Sequence, residues 1–395
     1  MTMLRWSGRL ALAATMLTVV PTVGFGAYQA IVAGDSLLHV GTVEAAIAGF
    51  EARLASDVEA DAVGGLTAAI AERGQVIWAK AFGWADTRHR VRADVKTIYR
   101  TGSISKTFTA TVLMQLVDRG VVALDDRVVR YLPEFAQLDG VPEQVSEITL
   151  RELASHTGGL VREPELENAA TGPIEQWETK VLASIPTTAL ASAPGEQYAY
   201  SNIGFGILGL ALSRAARKPF MDLVTDMIFR PLGMEHSTFI VTADLEPHLA
   251  VGYANRRDGT VDEELPAMEH AGRGYKVPNG GVYSTVEDLA RFVGGLIGSS
   301  DVDIISAASR REMQMVQTPG DSATGYGLGL MLRSTVDGRR LASHSGSVAG
   351  YTAFMVFDRA TGLSVTLLRN YNVGRTNLRK VATALEEDLV KAAGR

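Results

Sequence analysis

The sequence predicts an α+β fold in which an antiparallel sheet, assembled from both ends of the chain, is flanked by helices, with a helical and loop-rich region inserted in the middle. Three observations predict it. Leu66–Ile70 and Val76–Phe82 read as a strand pair around the polar turn 72–75. Two more pairs come late in the chain: Tyr326–Val336 with Arg340–His344 around Asp337-Gly338, and Tyr351–Phe357 with Leu363–Leu368 around 358–362. Between these flanks, apolar residues recur at helical spacing, and short turns make each strand pair antiparallel.

In chain order, Val43, Ile47, Phe50 and Leu54 predict a helix from Thr42 that precedes the first strand. A second stripe, Phe108, Val112, Leu113, Leu116 and Val117, ends where Gly120 can cap a helix. Thr149 with Glu152, and Ser284 with Glu287, have the spacing of capping boxes before further helices. Ile203–Ala216 and Phe220–Phe229 read as helices, the latter stopped by Pro231, and Asn377–Lys391 closes the chain with another.

Composition narrows the function. The 395 residues are 46% hydrophobic and 21% charged, enough for one large core or two smaller ones. Lys+Arg 38 against Asp+Glu 44 leaves a net charge of -6, which argues against a nucleic-acid partner. With Cys 0, disulfides, thiol nucleophiles and thiolate metal sites are all excluded. Arg5 and Arg9 precede 25 uncharged residues, Leu10–Gly34. Residues 1–36 therefore read as a signal or membrane-anchor segment, and 37–395 as the functional domain. The length of the apolar run favours an uncleaved anchor over a cleaved signal, and the positive flank directs the rest of the chain out of the cytoplasm.

Three short motifs carry chemistry. In Thr101-Gly102-Ser103-Ile104-Ser105-Lys106, Ser103 and Lys106 fall one helical turn apart on one face. A lysine shielded from water loses basicity and can take the proton of a neighbouring serine hydroxyl, which is a weak nucleophile until that happens. Of eight lysines, only Lys106 has a serine three residues before it. In Tyr200-Ser201-Asn202, Tyr200 can shuttle a proton if a cation lies beside it, and Asn202 offers both a donor and an acceptor; the plainer reading is a helix cap beside a packing tyrosine. His344-Ser345-Gly346-Ser347 ends a strand, where a small residue lets substrate lie alongside and a backbone N–H face an oxyanion. The seven histidines show no metal-ligand spacing, and His156 reads as a junction residue rather than a proton carrier.

In this order the three motifs resemble the signature of the serine β-lactamase and penicillin-binding-protein superfamily, and within it the class C β-lactamase-like group. Thr97–Ser103, Ile148–Leu160 with His156-Thr157-Gly158-Gly159, Arg230–Met234 and Gly280–Thr285 extend the likeness over roughly residues 45 to 390. The resemblance implies a β-lactamase/transpeptidase-like fold, Ser103 as the acylated nucleophile, Lys106 as its proton acceptor and Tyr200 as shared base and acid. It further implies that Asn202 contacts the substrate amide or Lys106, and that the N–H groups of Ser103 and Ser347 form the oxyanion hole. No metal or organic cofactor follows from it. The departure is His344, where β-lactamases of this group carry lysine. Histidine is only partly charged near neutrality, so recognition of a substrate carboxylate is expected to weaken and to fade from pH 6 to 8. The expected activity is hydrolysis of a small ester or amide through an acyl-enzyme. A true β-lactamase or DD-peptidase, and a membrane-tethered acylated sensor without turnover, are the alternatives.

Overall fold

The computed structural model describes residues 40–392, which fall in one compact unit spanning Leu37–Arg395. The N-terminal anchor or signal expected over residues 1–36 lies outside the described residues. Among the described residues no helix is long and apolar enough to cross a membrane.

Helix α1 (Val40–Asp61) leads into strands β1 (Gly65–Glu72), β2 (Gln75–Asp86) and β3 (Val91–Arg92). The late strands are β4 (Thr324–Tyr326), β5 (Met331–Ser334), β6 (Arg340–Val348), β7 (Tyr351–Asp358) and β8 (Leu363–Arg369). They form one eight-stranded sheet in the order β3-β2-β1-β8-β7-β6-β5-β4, with antiparallel pairing throughout. The two chain ends meet where β1 pairs β8, as in Ala69↔Thr366. Both strands are buried along nearly their whole length, so both faces of the sheet are covered.

The covering follows from the apolar stripes. Helix α2 (Ser105–Asp118) is buried over most of its length, and Phe108 stacks on Phe292 of α4 (Val286–Ile297) at 3.9 Å. Helix α3 (Asn202–Ala216) is buried from Asn202 to Ser213, where its glycines permit close approach: a Cβ at Gly206 would lie 2.8 Å from the Tyr275 carbonyl. The last helix, α5 (Leu378–Ala392), packs against α1, β7 and β8.

Three local expectations are corrected. The cap before α4 is Thr285, whose hydroxyl accepts from the Asp288 N–H, because Ser284 is taken up in a short strand opposite Tyr99. The strand expected over Tyr326–Val336 is broken by the turn Gly327–Leu330 into β4 and β5; Gly329, at φ +67°, donates to the Ala154 carbonyl and accepts from Thr107. The third motif lies inside a strand, not at its end, since β6 continues to Val348 paired with Tyr351 before a turn at Gly350. This last difference matters for the site. Pairing of β5 with β6 stops at Met331↔Ser343, which leaves residues 344–348 of β6 unpaired on that edge.

Candidate active site

The start of α2 is pressed against β6. A short 3₁₀ turn, Gly102–Ile104, precedes the helix, and Gly102 sits at φ +54°. A Cβ on Gly102 would lie 2.7 Å from the Ser347 nitrogen, and one on Gly346 would lie 1.9 Å from the Thr101 carbonyl oxygen and 3.3 Å from the Ser103 nitrogen. Two glycines facing one another thus let backbone meet backbone, bringing the N–H groups of Ser103 and Ser347 to one spot. That juxtaposition is the geometry an oxyanion needs.

Lys106 follows one turn later and is fully buried. Its Nζ lies 3.2 Å from Ser103 Oγ, 2.8 Å from Asn202 Oδ1 and 3.3 Å from the Asn279 carbonyl. Among the described residues no carboxylate pairs with it. Burial pushes its pKa well below the usual lysine value, with the Arg162, Arg273 and Lys276 charges acting the same way and Glu163 against them. Asn202 is itself held: its Nδ2 donates to Glu163 at 2.6 Å, and its carbonyl accepts from Asn279 Nδ2 at 2.9 Å. Glu163 also accepts from the Tyr275 hydroxyl and pairs with Lys276 at 3.1 Å.

Tyr200 completes the group. Lys106 Nζ lies 4.8 Å from its ring centroid and the Arg162 guanidinium 4.9 Å away. Burial raises the phenol pKa, while a hydrogen bond with Ser103 and the Arg162 charge pull the other way without reversing it. The neighbouring cation that the sequence reading of Tyr200 calls for is present in Arg162, but it does not make a phenolate the resting form. Burial outweighs the nearby charge, and the phenol keeps its proton. Ser201 does cap α3, accepting from the Gly204 N–H at 3.0 Å, so the cap and the cluster share one tripeptide.

His344 is buried, and both ring nitrogens are engaged. Nδ1 donates to the Ser345 carbonyl at 2.7 Å, which leaves Nε2 to accept from the Tyr326 hydroxyl at 2.9 Å. Burial, then the field of Lys106, lowers its pKa to about 3, against the Ser345 bond. The expectation of a half-charged imidazole between pH 6 and 8 is corrected: His344 is neutral there, and whatever it contributes to substrate binding is not charge.

All eight residues singled out in the sequence, Ser103, Lys106, Tyr200, Asn202, His344, Ser345, Gly346 and Ser347, thus meet around the start of α2 and the free edge of β6. Other participants carry no local signal. Glu163, Asn279 and Tyr326 arrive from a loop, the short helix Val277–Gly280 and strand β4, and only tertiary packing places them. His156 had a signal, its place in the His156–Gly159 stretch. It ends the short helix Leu150–Ser155 in the left-handed conformation, accepts the Ser201 N–H on Nδ1 at 3.0 Å, and lays its ring 4.2 Å from Tyr200.

A buried lysine one turn from a serine, a phenol beside both, and an antiparallel sheet presenting a free strand edge define the serine β-lactamase and penicillin-binding-protein superfamily. The chain belongs to the Beta-lactamase family, whose model matches residues 50–388. It is 30% identical over 293 residues to the D-alanyl-D-alanine-carboxypeptidase/endopeptidase AmpH of Escherichia coli, covering 70% of this chain and 71% of that one. The fold is similar to that of the octameric penicillin-binding protein homologue from Pyrococcus abyssi, with TM-score 0.73 and 24% identity over 87% of this chain and 77% of the other. It is also similar to a class C β-lactamase, with TM-score 0.72 and 19% identity over 89% of this chain and 99% of the other.

Proposed function

We propose that the protein hydrolyses ester or amide bonds through an acyl-enzyme on Ser103. The observation that carries this reading is the Lys106 amine, desolvated and 3.2 Å from Ser103 Oγ, because burial disfavours its charged form and so favours the free base that can take the hydroxyl proton. Lys106 takes the Ser103 proton as Oγ attacks the carbonyl, and the N–H groups of Ser103 and Ser347 receive the developing oxyanion. The Tyr200 phenol gives its proton to the leaving atom as that bond breaks, and the proton on Lys106 then restores the phenol. Water repeats the sequence on the acyl-enzyme, releasing the acid and freeing Ser103. Asn202 and Asn279 hold Lys106 in reach, and Glu163 holds Asn202.

Ser103→Ala is expected to lower turnover of 4-nitrophenyl acetate to background, and intact-protein mass after a slow ester is expected to show the acyl group on wild type only. Wild-type turnover by the Ser103→Ala protein would reject the assignment. The 30% identity to AmpH favours a DD-carboxypeptidase as a second reading, separated by release of D-alanine from a pentapeptide. A neutral His344 speaks against efficient β-lactam hydrolysis, which nitrocefin would report. The run of 25 uncharged residues after Arg9 supports a location outside the cytoplasm, anchored or secreted, which fractionation of expressing cells would test.

A further inference from the structure

Tyr200 stands on irregular chain. Residues 191–201 form no helix or strand, and α3 starts only at Asn202, so no regular element of its own fixes the phenol. A proton donor must nonetheless lie within about 3 Å of the atom it serves, and a misplacement of ~1 Å costs on the order of 100-fold in rate. The hold on Tyr200 has to come from another segment.

His156 meets that segment on both sides of the phenol. Its carbonyl accepts the Ala199 N–H at 2.8 Å and its Nδ1 accepts the Ser201 N–H at 3.0 Å, so the residues before and after Tyr200 are tied to one residue. Between these two bonds the imidazole lies 4.2 Å from the phenol ring, tilted by 33°. His156 is itself anchored, since the helix it ends, Leu150–Ser155, is closed at its other end by the capping box of Thr149 and Glu152. The choice of histidine points to the ring nitrogen. With Nδ1 accepting, the ring proton sits on Nε2, and that atom is buried with no hydrogen-bond partner among the described residues. An unmade bond of this kind is destabilising, and a leucine filling the same space would avoid it. Burial, then the field of Lys106, holds the His156 pKa well below the usual histidine value, which keeps the Nδ1 lone pair available.

We propose that His156 is the positioning residue of Tyr200: its carbonyl and Nδ1 fix Ala199 and Ser201, and its ring sets the phenol in place to serve the leaving atom. This role rests on the serine hydrolase reading, in which Tyr200 gives its proton as the scissile bond breaks. His156 moves no proton itself, because its Nδ1 is occupied by the Ser201 N–H. Its effect on the reaction passes through Tyr200 alone.

The test compares ethyl acetate with 4-nitrophenyl acetate on the full chain. Ethoxide needs a proton to leave, whereas 4-nitrophenolate leaves as the anion, so the ratio of their kcat/KM values reads proton donation during acylation, and any loss of folded protein cancels. His156→Leu, which lacks the acceptor, is expected to lower the ethyl-to-nitrophenyl ratio by about tenfold or more. His156→Asn, whose Oδ1 can stand in for Nδ1 and whose backbone tolerates the left-handed conformation, is expected to keep the ratio within about threefold of wild type. In Tyr200→Phe, which has no proton to position, adding His156→Leu is expected to change the ratio by less than about twofold. An unchanged ratio in His156→Leu, a fall in His156→Asn as large as in the leucine variant, or a further fall of about tenfold on top of Tyr200→Phe overturns the proposal. If wild type cleaves neither ester or only the nitrophenyl one, or Tyr200→Phe keeps the wild-type ratio, the reading that makes Tyr200 the proton donor fails by itself, and amide hydrogen exchange at Ser201 tests the hold separately. Exchange about tenfold faster in His156→Leu than in wild type and His156→Asn supports it, and equal rates in all three remove it.

Discussion

Raising the pH from 6 to 8 is a direct probe of His344. An imidazole with the ordinary pKa near 6.5 would pass from about 76% to about 3% protonated across that interval, a loss of roughly 25-fold in any carboxylate binding that depended on its charge. Held at about 3 by burial and by Lys106, His344 is only about 0.1% protonated even at pH 6. The assay compares kcat/KM for phenyl acetate and for 3-acetoxybenzoate, which carries a carboxylate near the ester. Any titration of Lys106 or Tyr200 affects both substrates and cancels in the ratio. The ratio is expected to stay constant within about twofold from pH 6 to 8, since a charge fraction that small contributes nothing measurable. A ratio that falls by an order of magnitude over the same range would refute the burial argument and restore a charged His344.

Three further outcomes follow from the same network. Glu163→Gln removes a negative charge that raises the Lys106 pKa, so the acid limb of the kcat/KM profile should move to lower pH; a move to higher pH would contradict the assignment. Tyr326→Phe leaves His344 Nε2 buried without its donor and is expected to cost about 1 to 3 kcal/mol in urea unfolding. Glu386, buried beside Arg339 at 2.6 Å, has its pKa raised to about 7, chiefly by burial. Because the folded value exceeds the unfolded one, this stabilisation is complete below about pH 4.5 and is lost as pH rises through about 7, amounting to up to about 3 kcal/mol. Glu386→Gln should flatten that part of the stability curve, and an unchanged slope would show that Glu386 is not its source.

The sequence by itself determined which strands pair with their neighbours, where most helices begin and end, and that Ser103 and Lys106 share a helical face. All of these are short-range consequences of periodicity, turn residues and capping. The serine–lysine spacing is legible because both groups lie within one turn of one helix. Protonation states were decided only by the tertiary structure, since they depend on burial and on charges brought from distant segments. The same imidazole that is half-charged in water is neutral at position 344, because Tyr326 and Ser345 occupy its nitrogens and no solvent reaches it. Tyr200 keeps its proton for a similar reason, although the Arg162 guanidinium lies 4.9 Å from its ring. Glu163 and Asn279 were likewise invisible in the chain, because each acquires its role from a partner more than thirty residues away.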